Sequence, residues 1–167
     1  LPMLENMGLN IIGESPYRIK PEGGAVRWIS DFVMQHPEGK KLNLESIKEK
    51  FQDAFAKIWF DEAENDGFNR LVLAASINWR ETAMLRAYAK YMWQIGSSFS
   101  QQSVEETLAA YPEISKQLVA LFFQKFDPEL KRDESKCKQI RNSIHASLDN
   151  VANLDQDRIL RRYLEII

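Results

Sequence analysis

Around His36-Pro37-Glu38-Gly39 the spacing of apolar side chains changes from two residues to about 3.6, and the polarity rises. Alternation at two suits a strand, whose side chains point to opposite faces; recurrence at three and four suits one stripe of a helix. The chain is therefore expected to join a short part able to form strands, residues 1–37, to a helical part, residues 38–167.

In the short part, Pro2 suits the first turn of a helix with Met3, Leu4 and Met7 on one side, and Gly8 ends it. Leu9, Ile11, Ile12, Tyr17 and Ile19 form a β-rich run in which Pro16 predicts an edge strand or a bulge. Lys20-Pro21-Glu22-Gly23-Gly24 has turn chemistry, and Ala25 to Met34 is the return strand. Two strands alone are marginally stable, so the hairpin is expected to pair with strands outside the chain or to lie against the helices.

In the long part, Asn43 is placed to cap a helix with Leu44, Ile47, Phe51, Ala54, Phe55 and Ile58 on one stripe and Trp59 at its edge. Asn65 or Asp66 starts a short helix over Phe68 to Ala75, and Asn78 with Glu81 has the spacing of a capping box. The helix behind that box carries Met84, Tyr88, Tyr91 and Ile95, widened by Leu85 and Met92, up to Gly96. Ser100 or Ser103 opens the next, and Pro112 begins another through Phe126. Leu130, Cys137, Ile144 and Val151 at heptad spacing predict a long helix, and Asp155 caps a last one with Ile159, Leu160, Tyr163, Leu164 and Ile167. The fold class expected is mainly α with a short α+β N-terminal part, a helix and hairpin followed by a multi-helix bundle.

At 167 residues the chain can bury one real core. With 22 basic and 24 acidic side chains interspersed, no face is expected to track a phosphate backbone or an anionic membrane. Cys137 stands where a helical pattern takes a small apolar residue, which reads as a buried, inert thiol in a reduced, cytoplasmic setting. No apolar run reaches membrane-span length, and no secretory signal pattern opens the chain. Leu1-Pro2 at the start and Ile167 in mid-pattern at the end read as cuts in a longer protein.

Gly23-Gly24 is hairpin chemistry, and no glycine run follows a strand to cradle a phosphate. His36 and His145 have no Cys, Asp or Glu at ligand spacing, and no serine has the nucleophile-elbow form. Chemistry-bearing residues are densest between Glu64 and Gln94. There Glu62, Glu64 and Asp66 read as acids at a helix start. Arg70, Arg80, Arg86 and Lys90 read as their ion-pair partners, together with Glu81. Trp28, Trp59, Trp79 and Trp93 are scattered over different elements and read as core or interface anchors.

The runs Leu1-Pro2-Met3-Leu4-Glu5-Asn6-Met7-Gly8-Leu9, Glu64 through Ala75, Trp79-Arg80-Glu81, Leu85-Arg86-Ala87-Tyr88 with Tyr91, Phe99-Ser100-Gln101, Phe126-Asp127-Pro128 and Leu154 through Tyr163 resemble the large bacterial NAD-specific glutamate dehydrogenases. The resemblance runs in order over nearly the whole chain. Its signature residues are Glu64, Asp66, Asn69, Arg70, Trp79, Arg80, Arg86 and Tyr88. It implies a parent enzyme that oxidatively deaminates glutamate to 2-oxoglutarate and ammonia with NAD, and a non-catalytic stretch just before its catalytic domain. Residues 1–37 would be part of an ACT-like unit whose first strand lies upstream. The family's catalytic lysine and aspartate and its NAD-binding fingerprint have no matching positions here. Catalytic, cofactor and metal sites are accordingly expected to be absent from this piece.

The partners so implied are the catalytic domain and upstream ACT-like units of the same polypeptide, other copies in a homo-oligomer, and an amino-acid effector. The rival reading is a free-standing helical adaptor that binds a partner helix in an aromatic groove.

Overall fold

The structure, a computed structural model, describes residues 2–37, 39 and 43–167, with the Leu44 side chain left out. Leu1, Glu38 at the expected boundary and the place of Leu44 on its stripe fall outside the described residues.

The chain opens with α1 (Pro2–Asn6), ended by Gly8 at φ 87°, where a side chain would also press on the Cβ of Arg70. Then come β1 (Asn10–Ile19) and β2 (Arg27–Gln35), an antiparallel pair in a two-stranded sheet. Pro16 stays in register opposite Ser30 on what is an edge strand of this sheet, the first of the two alternatives its place in the run offered, and the bulge lies between Ile11 and Gly13. The helical part holds α2 (Leu44–Trp59), a 3-10 turn (Gly67–Arg70) running into α3 (Leu71–Ala74), α4 (Trp79–Gln94), α5 (Gln101–Ala110), α6 (Pro112–Phe126), α7 (Glu134–Leu148) and α8 (Leu154–Ile166).

Caps explain most of these starts. Asp66 accepts from the Phe68 N–H, Ser100 from Ser103, and Asn78 with Glu81 closes a reciprocal capping box at α4. Three expectations need correction. Asn43 stands at the α2 N-cap but its side chain makes no capping bond. The heptad reading over-extended α7, because Asp133 caps it and leaves Leu130 before the helix and Val151 after it. Asn153, not Asp155, caps α8, accepting from the N–H groups of Asp155 and Gln156.

The main core gathers Phe68, Leu71, Leu85, Ala89 and Met92 against Val104, Leu108, Leu118, Leu121, Ile144, Leu148, Ile159, Leu160 and Tyr163. On α4 the buried stripe is Leu85, Ala89 and Met92, while Tyr91 and Ile95 face out, contrary to the stripe read from the sequence. The Tyr163 hydroxyl donates to the Leu85 carbonyl at 2.9 Å, so α8 is tied to α4 inside the core. Lys125 Nζ and Arg141 Nη1 donate to the carbonyls of Ile167 and Leu164, closing the last turn of α8.

A second cluster of Met7, Ala54, Ile58 and Val72, and a third of Leu9, Ile47 and Leu73, fasten α1 and α2 to α3. The root of the hairpin is thus built into the helical body, while most of β1 and β2 stands exposed.

Candidate functional site

The crowded stretch folds into a polar knot where the 3-10 turn meets α4 and α5. Asp66 caps the turn with one oxygen, and that geometry turns its carboxylate toward α4. Arg86, one turn past the first turn of α4, meets it side-on, Nε to Oδ2 at 2.6 Å and Nη2 to Oδ1 at 2.8 Å. Arg86 Nη2 also donates to Asn69 Oδ1 at 2.8 Å, and Asn69 Nδ2 donates to the Glu64 carbonyl at 2.8 Å. The guanidinium lies over the Phe68 ring, 5.6 Å from its centroid. The two charged side chains are only 5% and 13% exposed, so each charge depends on the other for solvation.

Around this centre lies a second contact. The Gly67 N–H donates to Glu105 Oε1 at 3.1 Å, and Gln101 Nε2 donates to the same oxygen at 2.8 Å. Gly67 has to be glycine for this approach, since a Cβ there would lie 2.3 Å from Glu105 Oε2. Glu105 is buried on the same face of α5 as Val104 and Leu108. Sequence reasoning passed over it; a carboxylate inside an apolar stripe was the signal available.

The other signature residues separate into different roles. Glu64 pairs at the surface with Lys90 at 2.5 Å, and Glu62 with Lys57 at 2.5 Å, so of the three acids only Asp66 serves a helix start. Arg80 stacks over its neighbour Trp79, 5.1 Å from the ring centroid, and pairs with none of the acids proposed for it. Among the described residues the Arg70 side chain has no hydrogen bond or ion pair, and its Nε is buried without a partner. Tyr88 packs edge-on against Phe122 at 5.9 Å, and burial pushes its hydroxyl above the ordinary value. Trp28 and Trp59 are largely exposed, which removes them from the core, whereas Trp93 is anchored by its Nε1 to the Phe99 carbonyl at 2.7 Å.

A cleft of about 660 Å³ opens between the two parts of the chain, lined by Glu5, Gly8, Asn10 and His36 on one side and Arg70, Leu73, Glu106 and Pro112 on the other. Among the described residues no group of three His, Cys, Asp or Glu is placed to hold a metal ion, and no helix is long and apolar enough to cross a membrane. The knot itself spends its charges on one another. Its chemistry is the joining of three helical segments at a fixed angle.

Residues 1–47 match the family model described as glutamate dehydrogenase, ACT3 domain, and residues 63–128 match that for glutamate dehydrogenase, helical motif 3. The chain is 44% identical over 167 residues to the NAD-specific glutamate dehydrogenase of Halomonas elongata and 43% identical over 171 to that of Pseudomonas aeruginosa. It is 32% identical over 174 residues to the protein of the same name from Mycobacterium tuberculosis. Each alignment takes in the whole of this chain but only 10–11% of the relative, so the chain spans about a tenth of the length of these proteins.

Proposed function

Because the chain belongs to the glutamate dehydrogenase family, carrying its ACT3 domain and helical motif 3, we propose that it is a non-catalytic structural and regulatory segment of an NAD-dependent glutamate dehydrogenase. The parent polypeptide oxidises L-glutamate to 2-oxoglutarate and ammonia and reduces NAD, in the cytoplasm. This segment divides into a partial ACT-like unit, residues 1–37, and a helical domain, residues 38–167. It joins the upstream ACT-like units to the catalytic domain of the same chain and takes part in a homo-oligomer. An amino acid is the effector class for its regulatory side.

The observation that carries this reading is the buried pairing of Asp66 with Arg86. It lies inside the stretch matched to helical motif 3 and fixes the turn against α4. A charge pair used in that way supports a part that holds geometry, and the fastening of α1 to α2 and α3 through Met7 carries the same rigidity to the hairpin root.

The test uses the complete reading frame and the 167-residue chain side by side. The full polypeptide is expected to reduce NAD with glutamate, and the chain alone is expected to give no turnover. Glutamate-dependent NAD reduction by the chain alone would overturn the non-catalytic assignment. Micromolar binding of an amino acid to it in a calorimetric titration would favour the regulatory over the purely structural half of the reading.

A further inference from the structure

We propose that the aromatic groove between α4 and α6 is the seat of an amphipathic helix formed by the polypeptide that follows Ile167. The rings of this groove run in contact. Phe126 lies 5.2 Å from Phe122, centroid to centroid, and Phe122 lies 5.9 Å from Tyr88. Tyr91 and Ile95 extend the line of Tyr88 along α4, three and seven residues on, the spacing of one helix face. Phe126, Tyr91 and Ile95 are 53%, 48% and 40% exposed, so these side chains face water instead of closing on the core.

The end of α8 lies at the same place. Lys125 Nζ donates to the Ile167 carbonyl and lies 5.3 Å from the centroid of the Phe126 ring. One ammonium therefore joins Ile167 to the first ring of the groove. An extended chain advances about 3.5 Å per residue, so roughly three residues beyond Ile167 reach that ring. A segment tethered this closely acts at an effective concentration of about a millimolar, and a separate molecule present at about a micromolar competes roughly a thousandfold less well for the same surface.

The chemistry of the occupant follows from the walls. Two helices line the groove with side chains and offer no row of free backbone groups, so the occupant has to satisfy its own backbone, which a helix does. Its buried face is apolar at helical spacing. Its first turn is acidic: Lys125 and Arg141 donate to carbonyls at the end of α8, and among the described residues neither is paired with a carboxylate. An acid there meets both cations and the unpaired N–H groups of its own helix start. That the polypeptide continues past Ile167 rests on the reading of the chain as a segment placed before the catalytic domain of a longer enzyme, since the chain spans about a tenth of the relatives' length.

Hydroxyl-radical footprinting of the full-length polypeptide reads whether the groove is covered. Phe126 and Tyr91 are expected to oxidise at least about tenfold more slowly than in the urea-unfolded polypeptide, whereas rings left half exposed would slow only about twofold. Slowing of less than about fivefold at both rings overturns the proposal. A photo-cross-linking benzoylphenylalanine in place of Tyr91 identifies the occupant. A link to the same polypeptide within about twenty residues after Ile167, the span of a short connection and one helix of average length, supports the proposal. A link to another copy, to a remoter part of the polypeptide, or only to residues within 1–167 overturns it. A reading frame that ends near Ile167 would instead refute the parent-enzyme reading, so the two failures are told apart.

Discussion

The carboxylate of Asp66 and the guanidinium of Arg86, twenty residues apart, meet in a side-on pair with contacts of 2.6 and 2.8 Å, and the same carboxylate caps the turn that delivers it. One acid therefore serves a local and a long-range purpose. Its removal costs the cap and leaves a buried cation.

Breaking a buried pair by deleting one partner costs about 3–5 kcal/mol, because the charge left behind is neither solvated nor paired. Arg86→Ala and Asp66→Ala are each expected to destabilise the chain by about that amount, read as a lower midpoint in urea unfolding. Lys90→Ala, which removes only the exposed pair with Glu64, is expected to cost less than about 1 kcal/mol. Equal losses for Arg86→Ala and Lys90→Ala would show that the knot is not buried.

Arg70 makes the contrast within the signature. It has the same charge and lies four residues after Asp66, yet among the described residues it has no acid partner, and its Nε is buried and unpaired. Arg70→Met keeps the apolar stem and discards an unsatisfied donor, so stability is expected to change by less than about 1 kcal/mol in either direction. A loss as large as that of Arg86→Ala would reveal a partner for Arg70.

Gly67→Ala forces the Glu105 carboxylate off its position and strips the Gly67 N–H of its acceptor. A cost of about 1–2 kcal/mol is expected. The displaced group is the free end of a side chain, so in a Glu105→Ala background the same change is expected to cost much less. Two strictly additive substitutions would mean that the Cβ meets something other than Glu105.

Features written in adjacent residues were legible before the structure. The capping box of Asn78 and Glu81 needs only a spacing of three, and Pro112 at the head of α6 needs only its missing N–H. The errors arose where neighbouring residues offered competing solutions. Asn153 and Asp155 are both good caps, and the choice fell to the one whose oxygen reaches two successive N–H groups. Leu130 and Val151 extend the apolar spacing of α7 on paper, but Asp133 starts the helix after one and the chain leaves it before the other. The pairing of Asp66 was open among four cations, and Glu105 with Gly67 was out of reach, because 38 residues of chain separate an acceptor from its donor. The exposed hairpin was legible in outline, since two β-rich runs flank the turn chemistry of Lys20 to Gly24.

The last prediction concerns alkaline pH. Tyr163 is fully buried, and burial pushes its hydroxyl well above the ordinary value of 10.0. Its folded value lies above its unfolded one, so the stability it contributes is complete below pH 10 and declines above it. In that range the unfolded chain releases the proton while the folded chain retains it. The decline attributable to this one group is about 1.4 kcal/mol per pH unit. Tyr163→Phe removes it. Near neutral pH the variant is expected to be less stable by about 1 kcal/mol, since the Leu85 carbonyl loses its donor. Between about pH 10 and 11 the gap narrows and then reverses as the wild-type chain loses stability faster. Urea unfolding of both chains across that range measures the two slopes. Parallel slopes would mean that the Tyr163 hydroxyl ionises in the folded chain as readily as in water, and that α8 is not held against α4 through a dry contact.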